Sequence, residues 1–589
     1  MRHSPGAARN FLCVAAFVVG AAIGCSPPGA DGIVLVTLDT TRADRLGAYG
    51  WESARTPTLD RMAREGVVFE NAVAPAPITL PSHASILTGV SPAAHGVRDN
   101  GLFALGPDAE LVSEVLRDAG WRTGAFVGSF VLHPRFGLDQ GFEVYDAPKP
   151  TSETPLGFIR ERRAVAVVDP FLAWAATLQP GERFFAWIHF FDPHYPYTPP
   201  PGWRFEDLHP YDQEIAYIDD QLGRLLRELE ELGHAERLLV VVTADHGESA
   251  GEHGEDSHGV FVYQSTLRVP LILWGPALGD RGGLRVGGLA SLLELPATLL
   301  GFAGVPVESL PHAASTPLVA PGGVADPPDP DRPIYVESLL PYHSFRWRGL
   351  RGVVEDGYKL VDSVSPELYA LFEDPHERSN LAAQEPEHVA SLRARLESLG
   401  APGVGLGWGV PGVADAGDLE QLRALGYLSQ DGGDDPFSNA LPDPRDRLED
   451  LALVTTANRL VHDASKLQAL EPGAFAEDPA GGEVPGRPQM RKARRTLQRL
   501  LERNAEDPWA LAELAKVLSL LAVRDRALPL LVGAVNLRPA DPVLHYHLAH
   551  AYDAAGRGAE ARLAMRTALA LDPQNSRYEV WLSEHRGGR

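Results

Sequence analysis

Cysteine is nearly absent from this 589-residue sequence, which has two, Cys13 and Cys25. Everything after residue 25 is therefore without a disulfide framework, a thiolate zinc site or a cysteine nucleophile. A chain of this length buries enough apolar surface to fold without such staples. A basic excess is missing as well. The 53 lysines and arginines stand against 78 aspartates and glutamates, a formal net charge of −25. No nucleic-acid partner is expected, because no surplus of positive charge exists to neutralise phosphates. The same acidity favours solubility and weakens attraction to anionic membranes. The apolar run from Phe11 to Ile23 falls short of the roughly 20 residues a bilayer span requires. What remains is an ordinary globular composition, 44% apolar and 22% charged, with 58 glycines and 50 prolines marking many turns. Length allows roughly two to four domains.

The N-terminus reads as an address. Arg2, His3 and Arg9 precede the apolar run, which ends Ala22-Ile23-Gly24-Cys25. A small residue directly before a cysteine at this point resembles a bacterial lipobox. Residues 1–24 are thus expected to be a signal peptide and Cys25 a lipid attachment point. That implies an exported lipoprotein on the periplasmic face of the envelope, at the outer membrane, touching membrane only through its anchor. Plain secretion with another cleavage site is the alternative.

Further on, short β-branched or aromatic runs alternate with helical patterns. Ile33 to Val36, Ala125 to Val127, Phe184 to Ile188, Leu238 to Val242 and Val269 to Leu273 read as buried strands, and Glu214 to Glu231 as an amphipathic helix. The fold class expected is α/β, a mostly parallel sheet sandwiched by helices over residues 31–400, with a small α+β subdomain from Ile334 to about Leu399. Asp39 and Asp245 both directly follow strand runs, where ligands bind in such sheets. Residues 401–445, rich in Gly, Pro and Asp, read as a linker. Residues 446–589 carry an internal repeat of about 34 residues: Leu514 and Leu548, Ala515 and Ala549, Ala527 and Ala561, Ala534 and Ala568, Pro539 and Pro573 correspond. This pattern resembles tetratricopeptide repeats and implies an all-α solenoid with a groove for a protein or peptide partner. A helical appendage that only packs on the rest is the alternative. An earlier unit contributes Ala493, Leu497 and Leu500, with its first helix displaced upstream by an insertion. Removal of residues from 446 onward is expected to leave activity on small substrates intact.

Four segments carry chemistry: LVTLDTTRADRLGAYG (35–50), APITLPSHASILTGVSPAAHGVRDNG (76–101), FAWIHFFDPHYPYTPP (185–200) and VTADHGESAGEHGEDSHG (242–259). Together, in this order, they resemble the sulfatase branch of the alkaline phosphatase superfamily. The resemblance implies a metal-dependent ester hydrolase with one divalent cation. Calcium or manganese is expected first, magnesium or zinc next. Asp39, Asp245 and His246 match metal-ligand positions, with Thr79 joining them. Sulfatases carry Cys-x-Pro-Ser-Arg at the nucleophile, where the cysteine or serine is oxidised to formylglycine. This sequence has Thr79-Leu80-Pro81-Ser82-His83. Oxidation of a secondary alcohol would give a ketone, so formylglycine chemistry is not available to Thr79. Threonine is the nucleophile in phosphodiesterase and phosphoethanolamine-transferase branches of the superfamily, which points to phosphate-type esters, with sulfate esters as the other substrate class.

By the same resemblance His83 stands for the motif arginine, and His194 is expected to assist the leaving oxygen as a general acid. His258, Asn100 and Thr40 are expected to contact substrate. His189, His253 and His95 are assigned orienting or structural roles. A second cation held by Asp192, His194 and His258 is the minor variant. Two other functions are weighed: an envelope phosphoryl or phosphoethanolamine-type transferase, and a non-catalytic sensor acting through the repeats.

Overall fold

The structure, a computed structural model, describes residues 29–101, 103–148, 161–314, 316–320, 332–400, 405–411, 435–465, 474–476, 484–505, 507–537, 539, 541–571 and 576–585. The signal-peptide and Cys25 expectations lie outside the described residues. Among the described residues no helix is long and apolar enough to cross a membrane.

Nine strands come first: β1 (Gly32–Leu38), β2 (Val67–Val73), β3 (Phe103–Leu105), β4 (Arg122–Val127), β5 (Val144–Asp146), β6 (Phe184–Phe190), β7 (Leu238–Thr243), β8 (Arg268–Trp274) and β9 (Leu284–Ser291). All but β3 form one sheet, ordered β5-β4-β6-β1-β7-β8-β2-β9. The pairings are parallel except for β8, which runs antiparallel to both β7 and β2. The central strands β1 (GIVLVTL), β6 (FFAWIHF) and β7 (LLVVVT) are buried along their whole length. Such unbroken apolar runs are what a sheet covered on both faces requires. One cover is the helix Pro210–Glu231, which buries Ile215, Ile218, Leu222, Leu225 and Leu229 at helical spacing.

A second, antiparallel sheet follows in order: β10 (Ile334–Ser338), β11 (Leu350–Glu355), β12 (Tyr358–Asp362) and β13 (Glu367–Ala370). The helix Pro386–Leu399 covers it with Val389, Leu392 and Leu396 against Tyr335, Val353, Leu360 and Leu368. The described ends of the expected linker are not free. Gly409–Pro411 pairs with β3, Trp408 is buried, and the Arg348 and Gly349 amides donate to the carbonyls of Pro442 and Pro436 at 2.8 Å.

Among the described residues seven α-helices follow: Leu448–Ser465, Arg487–Arg503, Pro508–Leu520, Arg524–Leu537, Pro542–Ala554, Gly558–Leu571 and Ser576–Glu584. Asp507 and Asp541 cap two of them, each followed by proline, and Asp541 accepts from the Val543 and Leu544 amides at 3.0 and 3.2 Å. The repeated alanines 515, 549, 527, 561, 534 and 568 are all buried, the small positions that let antiparallel helices approach. The first two helices pack together across residues 466–486, the displaced early unit.

Candidate active site

β1 lies between β6 and β7, with Thr37 opposite both His189 and Thr243. Their carboxyl ends therefore emerge side by side. Asp39 follows β1, Asp192 and His194 follow β6, and Asp245-His246 follow β7. The helix Thr79–Thr88 enters beside them and is buried throughout. Two bonds seat its first turn: the Leu80 amide donates to Asn100 Oδ1 at 2.8 Å, and Ser82 Oγ donates to the Asp245 carbonyl at 2.7 Å. Thr79 Oγ1 ends 3.4 Å from His246 Nε2.

The carboxylates of Asp39 and Asp245 are fully buried, yet their four oxygens receive no hydrogen bond from any described residue. Histidines approach them, but too far for good bonds: His246 Nε2 at 3.7 Å from Asp39 and 3.5 Å from Asp245, His189 Nε2 at 3.4 Å from Asp39. Burial raises the pKa of both carboxyls, and Asp39 pushes Asp245 further. Burial opposes charge on His246, but Asp245 and Asp39 outweigh it and raise its pKa. Its Nδ1 donates to the Gly247 carbonyl at 2.9 Å, which turns Nε2 toward the carboxylates. Buried carboxyls without donors are stable as neutral acids or beside a cation, and two of them converging with His246 suit a cation. The ligand atoms of Asp39, Asp245 and His246 lie within 4.8 Å of one another, as do those of His83, His189 and Asp245. The first set fits an ion better, because both His83 nitrogens are taken. Nδ1 donates to the Thr79 carbonyl at 2.8 Å, and Nε2 accepts from Thr37 Oγ1 at 3.0 Å.

His83 thus differs from the arginine it replaces. Burial lowers its pKa to about 3, so it is a neutral brace under the Thr79 helix. Thr37, which holds it, also accepts from Trp187 Nε1 at 3.0 Å. His194 and His258 do reach the site: their rings are 5.1 Å apart, and His258 is 4.5 Å from His246. Burial depresses His194 to about 4. Its Nδ1 donates to the Tyr195 carbonyl at 2.7 Å, so the neutral ring offers Nε2 as an acceptor. In this state it is a proton acceptor rather than the expected acid. Thr40 sits in left-handed backbone, φ 51°, and its hydroxyl donates to the Pro193 carbonyl at 3.3 Å. It ties two loops together instead of facing substrate. Asn100 orients the nucleophile helix through Oδ1, and its Nδ2 has no partner among the described residues. Asp192 accepts from the Ala164 amide at 2.8 Å, so the Asp192–His194–His258 cation set is not assembled. His95 bonds Ser85 Oγ, and His253 stacks on Tyr263 at 3.7 Å, both away from the cluster.

Residues 32–305 match the Sulfatase family model. This segment is a sulfatase-family domain. With the family goes the general activity of a sulfatase-like ester hydrolase. Residues 524–579 match a tetratricopeptide repeat, in agreement with the helical tail. An ulvan-active sulfatase of Formosa agariphila is 24% identical over 433 residues, 63% of this chain and 82% of that protein. Human N-acetylgalactosamine-6-sulfatase is 27% identical over 344 residues, 49% of this chain and 64% of its own length. Among solved structures, a 2-O GAG sulfatase superposes with a TM-score of 0.51 at 20% identity, covering 63% of this chain and 91% of its own.

Glu248 in the sulfatase domain was not singled out from the sequence. It is buried, raised to about 7 chiefly by burial, and joined to His258 Nδ1 at 3.0 Å and Tyr197 Oη at 3.0 Å. Its place three residues after Asp245, inside a segment already rich in ligand-type residues, was the available signal. Thr37 gave none, since a threonine within an apolar strand reads as β-propensity alone.

Proposed function

We propose that the sulfatase domain is a divalent-cation-dependent hydrolase of phosphate-type esters, phosphodiesters or phosphonates, with Thr79 as nucleophile. Sulfate esters are the second substrate class, in keeping with the family and its relatives. The observation that carries this reading is the Thr79 hydroxyl, 3.4 Å from His246 and held on a helix pinned to Asp245, beside four carboxylate oxygens that lack donors. Asp39, Asp245 and His246 would hold the cation, with Thr79 completing the set. Bound there, calcium, manganese, magnesium or zinc would supply positive charge that favours the threonine alkoxide and offsets charge on the transferring group. The chain's own residues do the rest. Thr79 gives up its hydroxyl proton to water, its Oγ attacks phosphorus in line, the bond to the leaving oxygen breaks, and that oxygen takes a proton from water to leave as the alcohol. His194, with Nε2 free to accept, is placed to take a proton from the water that then cleaves the threonyl phosphate. His258, whose Nδ1 meets Glu248, can donate from Nε2 to a phosphoryl oxygen when the Glu248 carboxyl, raised to about 7 by burial, holds the proton between them. Phosphate is preferred over sulfate because a threonine cannot yield the aldehyde hydrate that attacks sulfate.

The decisive experiment is a panel of aryl phosphodiester, phosphonate and sulfate esters, run with each of the four cations beside Thr79→Ala and Thr79→Cys. Phosphate-type turnover that vanishes in Thr79→Ala while bound metal persists is the expected result. Sulfate-only turnover would reverse the substrate order, and inactivity of the wild type on every ester would favour a sensor. Added acceptor alcohols that speed release without free phosphate would favour a transferase. Placement as a lipoprotein anchored at Cys25 rests on the sequence. Loss of labelled fatty acid in Cys25→Ser is expected, and retained label would refute it. The repeats are proposed to bind a protein or peptide partner.

A further inference from the structure

The helical tail does not stand apart from the sulfatase domain. A small cavity of about 100 Å³ lies between them, walled by Tyr195 and His258 on one side and by Leu451, Thr455, Asn458 and Arg459 of the helix Leu448–Ser465 on the other. His258 is the link to the chemistry, since its ring is 4.5 Å from that of His246. The Arg459 guanidinium sits 5.7 Å from the Tyr195 ring centre. Arg459 also lines a neighbouring cavity of about 400 Å³ together with Glu248 and Tyr197, so it stands where both spaces approach the site. Among the described residues lining the smaller cavity, Arg459 is the one lysine or arginine. The helix is closely seated. Gly254 has a φ of 84°, and a side chain there would meet Leu448 Cδ2 at 2.8 Å. The loop after the metal-ligand pair is thus shaped to accept this helix.

We propose that the helix Leu448–Ser465 is the outer wall of the substrate pocket and that Arg459 selects esters whose leaving group carries a negative charge. This rests on the hydrolase reading above and adds a specificity determinant from outside the family domain. The Tyr195 ring with Leu340, Leu451 and Val454 suits the body of the leaving group, and Arg459 its charged substituent, which must lie on the Arg459 side, away from Glu255 and Asp256 of the same lining. The tail therefore shapes activity on small substrates, contrary to the expectation from sequence that residues beyond 446 are dispensable for it.

The test uses the full chain with manganese and a matched pair of aryl phosphodiesters, one neutral and one bearing a carboxylate on the leaving group. Arg459→Ala should raise KM for the carboxylate ester about threefold to tenfold, leave the neutral ester within about twofold, and keep kcat. Arg459→Lys should restore part of the difference. Thr455→Trp, which fills the cavity, should raise KM for both. Equal effects of Arg459→Ala on the two esters overturn the charge selection, and an unaffected Thr455→Trp overturns the wall. Should neither ester turn over, the hydrolase reading fails. Titration calorimetry with the carboxylate-bearing aryl phosphonate then still decides the inference: equal affinity for wild type and Arg459→Ala refutes it, and weaker binding by the variant supports it.

Discussion

At the floor of the site, Asp39, Thr79, Asp245 and His246 are delivered by strand ends and one buried helix. At the rim, Tyr195, His258 and Arg459 come from two loops and from a helix more than two hundred residues away in sequence. The floor holds charge that the protein leaves unsatisfied. The rim is richly satisfied, with His258 on Glu248 and Arg459 over Tyr195. A floor of this kind sets which reaction can occur, and a rim of this kind sets which molecule undergoes it. Changes at the floor should therefore act on kcat and metal content, and changes at the rim on KM.

The largest separation is expected from Thr79→Ala. Loss of the nucleophile should lower kcat by roughly 10⁴-fold or more with metal stoichiometry unchanged. A fall below tenfold would remove Thr79 from that role. His258→Ala comes next, at about 10²-fold in kcat/KM with metal retained. Metal lost from this variant would move His258 from rim to floor.

A third prediction sets two equally buried carboxylates against each other. Asp219 accepts from the Thr58 and Leu59 amides at 2.9 and 2.8 Å, whereas the Asp245 side-chain oxygens accept nothing from the described residues. Asp219→Ala should cost about 2 kcal/mol, because two helix-start amides lose their acceptor. Asp245→Asn should leave the metal-free protein as stable as wild type or more so, and abolish the stabilisation gained on adding metal. Denaturant unfolding with and without manganese reads both. Equal destabilisation of the metal-free forms by the two substitutions would show that Asp245 is a structural carboxylate.

The floor could be found from sequence because an apolar run ending in Asp39 or Asp245 fixes both strand and position, and parallel neighbours must emerge together. The repeats could be found because their alanines recur at fixed spacing. Thr40 was misplaced because a hydroxyl's direction depends on backbone φ, which residue type does not reveal. His83 stands where the family has an arginine, and only its complete burial shows the ring to be neutral. The rim was unreadable for a different reason. Nothing in the periodicity of Leu448 to Ser465 states what its face docks against, and the glycine that receives it, Gly254, looks like any turn residue. The reversed direction of β8 was equally hidden, since a buried strand has the same apolar pattern in either sense.

The change that is smallest at any one pH tests how far burial without donors extends beyond the floor. Asp99 lies beside Asn100, the residue that holds the start of the Thr79 helix. Burial raises its carboxyl to about 8, although the Asn100 amide donates to Oδ1 at 2.7 Å, and Oδ2 has no donor among the described residues. A carboxyl held above its unfolded value of 3.8 keeps its proton in the folded state where the unfolded chain has lost it. Its contribution to stability is full below about pH 4 and lost as pH rises to about 8, beyond which it is level. Relative to Asp99→Asn, wild type should therefore lose about 1 kcal/mol per pH unit between pH 5 and 8. Paired denaturant titrations of the two proteins isolate this term from the histidines, which titrate alike in both. Parallel curves would mean that Asp99 is ionised at neutral pH and satisfied in the folded protein, and the unpaired charge would then be confined to the carboxylates that face Thr79.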